Sequence, residues 1–174
     1  KGADATPWRL DNPCQAVIYE MHLRDLTKSP TSGVDESLRG TYLGACQEGT
    51  VNSHGDATAF DYIRQLGVNV VQLQPISDRY KQYDEEGRVT YNWGYDVQNH
   101  SAPETSFSTD PSNPKRTMKE LKTMIRAYHE AGISVVIDVV YNHTYSTEHG
   151  PFQNTVPDYY YRMEPDGRFQ NGTG

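Results

Sequence analysis

Residues 133–143 read Ile-Ser-Val-Val-Ile-Asp-Val-Val-Tyr-Asn-His, an apolar, β-branched run that is interrupted by Asp138 and followed by polar side chains. β-Branched residues favour strands, and a strand that is apolar on both faces belongs in a parallel sheet covered by helices. In barrels built from such strands, catalytic and binding side chains lie where the strands end. The run therefore predicts a strand over residues 133–140, with candidate functional groups at Asp138, Asn142 and His143.

Two further strands are predicted upstream, at residues 15–22 and 69–74. Between them, Asp56 can cap a helix whose apolar side chains recur every three or four residues and which ends before Gly67. A polar stretch at residues 24–56 separates the first strand from this helix. We expect it to be a loop with short irregular pieces that contributes nothing to the core.

The second helix has the clearest sequence signals. Asn113 is its predicted N-cap, Pro114 occupies the first helical position, and Gly132 closes the helix. Residues 75–113 precede it as a second long loop, in which aromatic residues cluster. Because loops of this length in a compact domain are usually functional, the aromatic cluster is a candidate binding surface.

The predicted order is strand, loop, helix, strand, long loop, helix, strand and loop, without an internal repeat. Repeated βα units build either a doubly wound sheet or a (β/α)8 barrel. No glycine-rich phosphate fingerprint follows a strand, which disfavours an open nucleotide-binding sheet, whereas long loops and polar residues at strand ends favour the barrel. The predicted fold class is α/β, a partial TIM (β/α)8 barrel with about its first three βα units. Residues 1–14 are a leading segment or linker, and residues 15–174 the N-terminal portion of the barrel domain.

Charge and composition restrict the partners. The formal net charge is -7, and no basic run exceeds Lys115-Arg116, so we expect no nucleic acid partner. No apolar stretch approaches the roughly 20 residues of a transmembrane helix, and we expect no membrane partner. The chain begins with Lys and carries no targeting signal, which leaves its compartment open, with the cytoplasm slightly favoured over secretion. The 13 Tyr and two Trp suit stacking on sugars, although ordinary core and surface positions would also account for them.

Several groups of side chains are candidates for chemistry. Residues 90–96 place aromatic rings around Gly94, which suits either a sugar-stacking wall or a hydrophobic hairpin that plugs a barrel mouth. The paired acids of glycoside hydrolysis would come from the carboxylates Glu20, Asp78, Asp96, Glu104 and Asp138. A metal site would draw on Asp138, Asn142, His143, Glu148 and His149, although their spacing matches no regular ligand motif.

Two motifs carry a family resemblance: Tyr-Asn-Trp-Gly-Tyr-Asp at residues 91–96 and Asp-Val-Val-Tyr-Asn-His at residues 138–143. Together they resemble the α-amylase superfamily, glycoside hydrolase family thirteen, and most closely its type I pullulanase branch. Val97 stands where that branch usually has Pro. Weaker similarities extend the resemblance from about Pro13 to the last residue, at residues 17–20, 71–75, 108–111 and 156–162.

The resemblance implies a starch-debranching glycoside hydrolase that cleaves α-1,6-glucosidic linkages in pullulan-like α-glucans by a retaining mechanism. The substrate-binding residues it implies are Trp93, Tyr95, Asp138 and His143: Tyr95 stacks on a sugar ring, His143 bonds the sugar's hydroxyls, and Asp138 supports the site. The nucleophile and the acid/base are expected beyond Gly174. No catalytic residue is therefore expected in this chain, which alone should be inactive.

The expected partners are an α-glucan polysaccharide and the remainder of the barrel, in the C-terminal part of the same protein. No cofactor is required by the resemblance; calcium is an option, because the residue matching Asn142 binds it in some amylases. Two alternatives stay open: a non-catalytic α-glucan-binding module, and another enzyme of the superfamily, of the isoamylase or branching type.

Overall fold

The computed structural model describes residues 11–172, so the predicted leading segment lies mostly outside the described residues. The chain divides into two compact units. We call the first, residues 11–76 and 103–138, the barrel unit, and the second, residues 77–102 and 139–172, the loop unit.

The described residues contain five strands, β1 (Ile18–Met21), β2 (Val70–Leu73), β3 (Ser77–Arg79), β4 (Val97–Pro103) and β5 (Ser134–Ile137). Four α-helices accompany them, α1 (Asp25–Lys28), α2 (Ala59–Leu66), α3 (Pro114–Glu130) and α4 (Pro151–Thr155).

The barrel unit contains a three-stranded parallel sheet in the order β1-β2-β5. Leu73 of β2 is paired with Met21 on one side and Ile137 on the other, so the carboxyl ends of the three strands lie at one edge. The N–H of Asp138 extends the ladder by donating to the Leu73 carbonyl at 2.9 Å. The three predicted strands are confirmed, each shorter than expected, and their parallel order agrees with the predicted partial (β/α)8 barrel.

Helix α3 begins as predicted, because the Asn113 side chain accepts a hydrogen bond from the Arg116 N–H at 3.2 Å and Pro114 stands at its start. The predicted cap of α2 is wrong: its N-cap residue is Thr58. Asp56 instead accepts a hydrogen bond from the Asn52 amide at 3.0 Å. Asp and Asn side chains stabilise turns as readily as helix ends, and here the Asp56 side chain stabilises a turn.

The segment at residues 24–56 is not outside the core, contrary to the expectation. It folds into α1 and three short 3-10 helices, as its irregular pattern indicated, but Tyr42 and Ala45 are fully buried. The Tyr42 hydroxyl donates to the Glu104 carbonyl, and the Tyr128 hydroxyl to the Ala45 carbonyl, both at 3.0 Å. Short helical turns bury single side chains without a repeating apolar pattern. The apolar periodicity of the sequence therefore does not predict these buried residues.

In the loop unit, β3 and β4 form a two-stranded sheet within residues 75–113, where we expected only a loop. The β4 sequence, Val-Gln-Asn-His-Ser-Ala-Pro, has neither alternation nor β-branched enrichment, so no strand signal was present. After residue 141 the described chain, up to residue 172, forms α4 and no further strand, as expected.

A seven-residue hairpin occurs three times, at residues 51–57, 83–89 and 163–169, each closed by an antiparallel bridge. In each copy the glycine at the fifth position has a positive φ, from 74° to 86°, which only glycine adopts readily. Its N–H donates to the carbonyl of the residue three positions earlier. The three sequences share little beyond this glycine and lie at irregular intervals, so a search for repeats at a fixed period does not find them.

Candidate functional site

Residues 91–96 line a cleft of about 330 Å³ in the loop unit. Asn92 shapes the segment into a tight turn: its side-chain oxygen accepts from the Gly94 N–H at 2.7 Å, and its amide donates to the Asp96 carboxylate at 2.9 Å. Gly94 has a φ of 100°, a conformation that a residue with a Cβ rarely adopts. The turn leaves 62% of Trp93 exposed. The segment therefore displays rings rather than burying them, as a sugar-stacking wall requires.

His143 is bonded directly to this segment. Its Nε2 lies 3.1 Å from the Tyr95 carbonyl oxygen, and its Nδ1 lies 2.8 Å from the side-chain nitrogen of Asn142. An amide NH2 can only donate, so Nδ1 accepts and Nε2 carries the proton that is donated to Tyr95. The structure thus brings together two predicted site residues that are 48 positions apart, and both ring nitrogens of the imidazole have partners in the protein.

Two tyrosines brace the same region. The rings of Tyr80 and Tyr145 are stacked, with centroids 3.8 Å apart and planes 7° from parallel. The Tyr145 N–H donates to the Val97 carbonyl, and the Tyr80 N–H to the Asp96 carbonyl, both at 2.8 Å. Burial against its surroundings raises the pKa of Tyr145, and the hydrogen bond to Tyr80 adds to this rise. We call these two residues the tyrosine pair; sequence reasoning missed it because ring stacking leaves no local pattern.

Asp138, the fourth predicted binding residue, belongs to the barrel unit, where it directly follows β5 and is half-buried. Its position at the carboxyl edge of the sheet agrees with the prediction that it follows a strand end. Its supporting role in the site stays a prediction.

Three of the candidate acids serve the local fold. The Glu104 side chain is fully buried and accepts from the Ser106 N–H at 2.8 Å, which caps a short 3-10 helix. Asp78 forms an ion pair with Lys81 at 3.0 Å, and Asp96 accepts from Asn92. Glu20 is exposed on β1. The described geometry therefore gives Glu104, Asp78 and Asp96 structural partners.

The acidic and histidine candidates for a metal site are not grouped in the described residues. Among residues 11–172, no three or more His, Cys, Asp or Glu side chains form a group that could hold a metal ion. Glu148 and His149 are exposed, with the Oε2 and Nε2 atoms 3.9 Å apart. No helix in this described range is long and apolar enough to cross a membrane.

Comparisons with known proteins agree with the two motifs. A family profile described as the catalytic domain of α-amylase matches residues 44–172. Pullulanase from Bacillus subtilis (strain 168) is 39% identical over 163 residues, which cover 94% of this chain and 22% of that protein. The chloroplastic isoamylase 3 of Oryza sativa subsp. japonica is 36% identical over 144 residues, which cover 79% of this chain and 17% of that protein.

The chain is also similar to solved structures of pullulanases. The chain matches a pullulanase from Paenibacillus barengoltzii in complex with maltohexaose and α-cyclodextrin, with a TM-score of 0.88 and 46% identity, over 98% of this chain and 26% of that one. It also matches a pullulanase from Bacillus acidopullulyticus, with a TM-score of 0.86 and 38% identity, over 97% of this chain and 20% of that one. The chain thus spans about a fifth to a quarter of the length of these relatives. It belongs to the family of α-amylase catalytic domains, within which it resembles the pullulanases.

Proposed function

We propose that this chain is the N-terminal part of the catalytic barrel of a starch-debranching glycoside hydrolase, which cleaves α-1,6-glucosidic linkages in pullulan-like α-glucans with retention. One observation carries the proposal: the exposed aromatic turn at residues 91–96 is held to His143 by the hydrogen bond to the Tyr95 carbonyl. The similarity to pullulanases supports it, because the Paenibacillus barengoltzii enzyme has been solved in complex with maltohexaose and α-cyclodextrin and, as a mutant, with maltotetraose.

The chemistry of the turn suits a neutral sugar. The C–H face of a pyranose ring packs on an aromatic ring, and Trp93 is largely exposed to solvent. Both ring nitrogens of His143 already have partners in the protein. A sugar hydroxyl must therefore share or replace one of these hydrogen bonds. If it replaced the Tyr95 carbonyl as acceptor, the Nε2 N–H of His143 would donate its hydrogen bond to the substrate.

The chemical step requires more than this chain. Retaining hydrolysis needs two carboxyl groups about 5 to 5.5 Å apart, one as nucleophile and one as acid/base. We assign these groups to later strands, beyond Gly174, since the relatives are several times longer. The mechanism uses no cofactor. Calcium, if it binds, would act on the fold, and a rise in Tm on adding Ca²⁺ would reveal it.

The outer strands of the sheet support the assignment to a larger barrel. In the described residues β1 and β5 each pair only with β2, and the apolar side chains of Ile18 and Val136 are exposed. Unpaired edges and exposed apolar residues are unfavourable in water, and closure of the barrel would cover them. The remainder of the barrel is the partner that we propose for these edges.

The proposal is tested by assaying the purified 174-residue chain beside the complete enzyme. We expect the chain alone to release no reducing ends from pullulan, and the complete enzyme to release products that first appear as the α-anomer in NMR spectra. Turnover by the chain, after mass spectrometry has excluded any longer form, would contradict our placement of the catalytic carboxyls. Products of the β configuration would contradict retention.

A non-catalytic α-glucan-binding module is the second candidate, and the exposed rings of the loop unit favour it. Calorimetry with maltotetraose separates the two. A module that works alone should bind with micromolar Kd, whereas an incomplete site should bind with Kd of about 1 mM or weaker, which is roughly -4 kcal/mol. Debranching of amylopectin without attack on pullulan would instead favour an isoamylase, and the appearance of new branch points would favour a branching enzyme.

A further inference from the structure

The loop unit contains a second, larger cavity of about 700 Å³, within the roughly 300 to 1,000 Å³ that is typical of small-molecule sites. We call it the aromatic pocket. Its lining comes from His100, from residues around Tyr141 and His143, and from Phe152, Tyr160 and neighbouring residues up to Gly172. Neither Trp93 nor Tyr95 lines it, so it is distinct from the cleft at residues 91–96.

Four rings form a continuous arc in this pocket. The centroid of His100 lies 5.5 Å from that of Tyr141 and 6.0 Å from that of Phe152, and Phe152 lies 5.0 Å from Tyr160. Neighbouring planes are tilted by 31° to 48°, so the rings do not cover one another's faces. His100 is fixed by a hydrogen bond between its Nε2 and the Val140 carbonyl. The arc is thus a set of neighbouring rings that are not stacked on one another.

Two of the four rings are largely exposed to solvent. Tyr141 is 77% exposed and Tyr160 is 53% exposed. Contiguous exposed apolar surface usually marks an interaction site, because water solvates it poorly. A ligand with an apolar face as wide as a single ring would cover this surface.

The polar groups of the pocket suit hydroxyls. The guanidinium of Arg162, which carries five N–H donors, is exposed, and no hydrogen bond or ion pair joins it to another residue within the range 11–172. The hydroxyls of Thr144 and Tyr161 are bonded to each other at 2.7 Å, so this side of the pocket is already satisfied. The amides of Asn142 and Gln170 add donors and acceptors to the lining. Rings beside mixed donors and acceptors match a neutral, polyhydroxylated ring compound.

We propose that the aromatic pocket is a second saccharide-binding site, which holds glucosyl units of an α-glucan with a sugar face on Tyr160 and hydroxyls toward Arg162. The inference rests on the proposed function for the class of sugar. His143 lines this pocket and bonds to Tyr95 of the smaller cleft, so the two sites adjoin at one residue. A bound glucan therefore has two contact regions in this unit.

Titration of the isotope-labelled 174-residue protein with maltotriose, followed by NMR, tests the proposal. We expect amide shifts around residues 141–147 and 160–162, with Kd in the millimolar range, and no such shifts with the β-linked cellotriose. Tyr160→Ala should weaken this binding about fivefold or more, as for loss of a central aromatic contact, and Arg162→Gln should weaken it similarly. Tyr83→Ala is the matched control, because Tyr83 is a similarly exposed ring of the loop unit that lines neither cavity.

The outcomes separate this inference from the proposed function. Shifts confined to residues 91–96, with no effect of Tyr160→Ala or Arg162→Gln, would overturn the second site and leave debranching untouched. Loss of binding in both variants, together with a complete enzyme that fails to cleave pullulan, would keep the second site and overturn the proposed activity. An absence of any maltotriose shift, in a protein whose spectrum shows folded dispersion, would also overturn the second site.

Discussion

The barrel unit and the loop unit use the same aromatic residue types in opposite ways. In the barrel unit, Phe60 and Tyr128 are packed edge to face with centroids 4.9 Å apart, and Phe60 is 1% exposed. In the loop unit, Trp93 and Tyr141 are among the most exposed large apolar residues. Burial of a ring stabilises a fold, whereas display of a ring prepares a surface for a ligand. Aromatic content alone therefore does not identify a binding site, because the local geometry of each ring determines whether it is buried or displayed.

Each unit is also stabilised internally by a different kind of contact. The barrel unit has one apolar cluster that joins the sheet, α2 and α3. The loop unit is held by local devices, such as the turn made by Asn92, the hairpins closed by Gly87 and Gly167, and the tyrosine pair. Substitutions in the first unit should therefore lower stability, and substitutions in the second should lower binding or activity.

The largest effect is expected in the barrel unit. Phe60→Ala removes a buried ring and leaves a cavity, so the free energy of unfolding should fall by about 3 to 5 kcal/mol. Tyr62→Ala is the matched control on the same helix, because Tyr62 is 43% exposed, and it should cost much less. Urea unfolding measures both. Equal losses from the two variants would contradict the described core.

In the loop unit, His143→Ala should lower kcat of the complete enzyme on pullulan by on the order of a hundredfold, as for loss of a transition-state donor. The free energy of unfolding should change little, because His143 is exposed. His149→Ala is the control, since His149 is a nearby exposed histidine that lines neither cavity. An unchanged kcat in His143→Ala would remove this residue from the site.

The pH dependence of the free energy of unfolding should reveal the contribution of a buried carboxylate in the barrel unit. Burial would raise the pKa of Glu120, but hydrogen bonds from the hydroxyl and N–H of Thr109 and from Arg116 outweigh burial and lower it below its ordinary 4.5. Because the folded pKa is lower than the unfolded one, this stabilisation is complete above about pH 4.5 and disappears as the pH falls through the folded pKa.

Glu120→Gln should therefore lower the free energy of unfolding by about 1.5 to 3 kcal/mol at pH 7 and by less near pH 3. Glu130→Gln, at an exposed position of the same helix, is the control. Chemical unfolding at the two pH values measures the difference. An equal loss at both would show that the carboxylate's charge contributes nothing.

The smallest effect concerns the tyrosine pair. Tyr145→Ala removes the stacked ring, an interaction worth about 1 kcal/mol, and should raise KM for pullulan about fivefold by loosening the segment that carries His143. Tyr145→Phe keeps the ring and should restore most of the affinity. Steady-state kinetics of the two variants check this; equal KM values for Ala and Phe would show that stacking does not position the site.

More of the barrel unit than of the loop unit could be predicted from the sequence. Helix α3 and the three parallel strands were predictable, because capping by Asn113 and apolar periodicity are local signals. Strand β4, the buried Tyr42 and the cap of α2 were not, because each depends on contacts made across the chain or on competition between turns and caps. Of the candidate site, the motif at residues 91–96 and His143 were predicted from the sequence, whereas the aromatic pocket became visible only in the three-dimensional structure.

We propose that the exposed rings of the loop unit bind α-glucan and contribute little to stability. Trp93→Ala in the 174-residue protein separates these two properties when Tm and the maltotetraose Kd are measured on the same sample. We predict that Tm stays within about 2 °C, as for a surface substitution, and that Kd rises about fivefold or more. A marked fall in Tm with an unchanged Kd would contradict the claim, since Trp93 would then belong to the fold and not to a binding site.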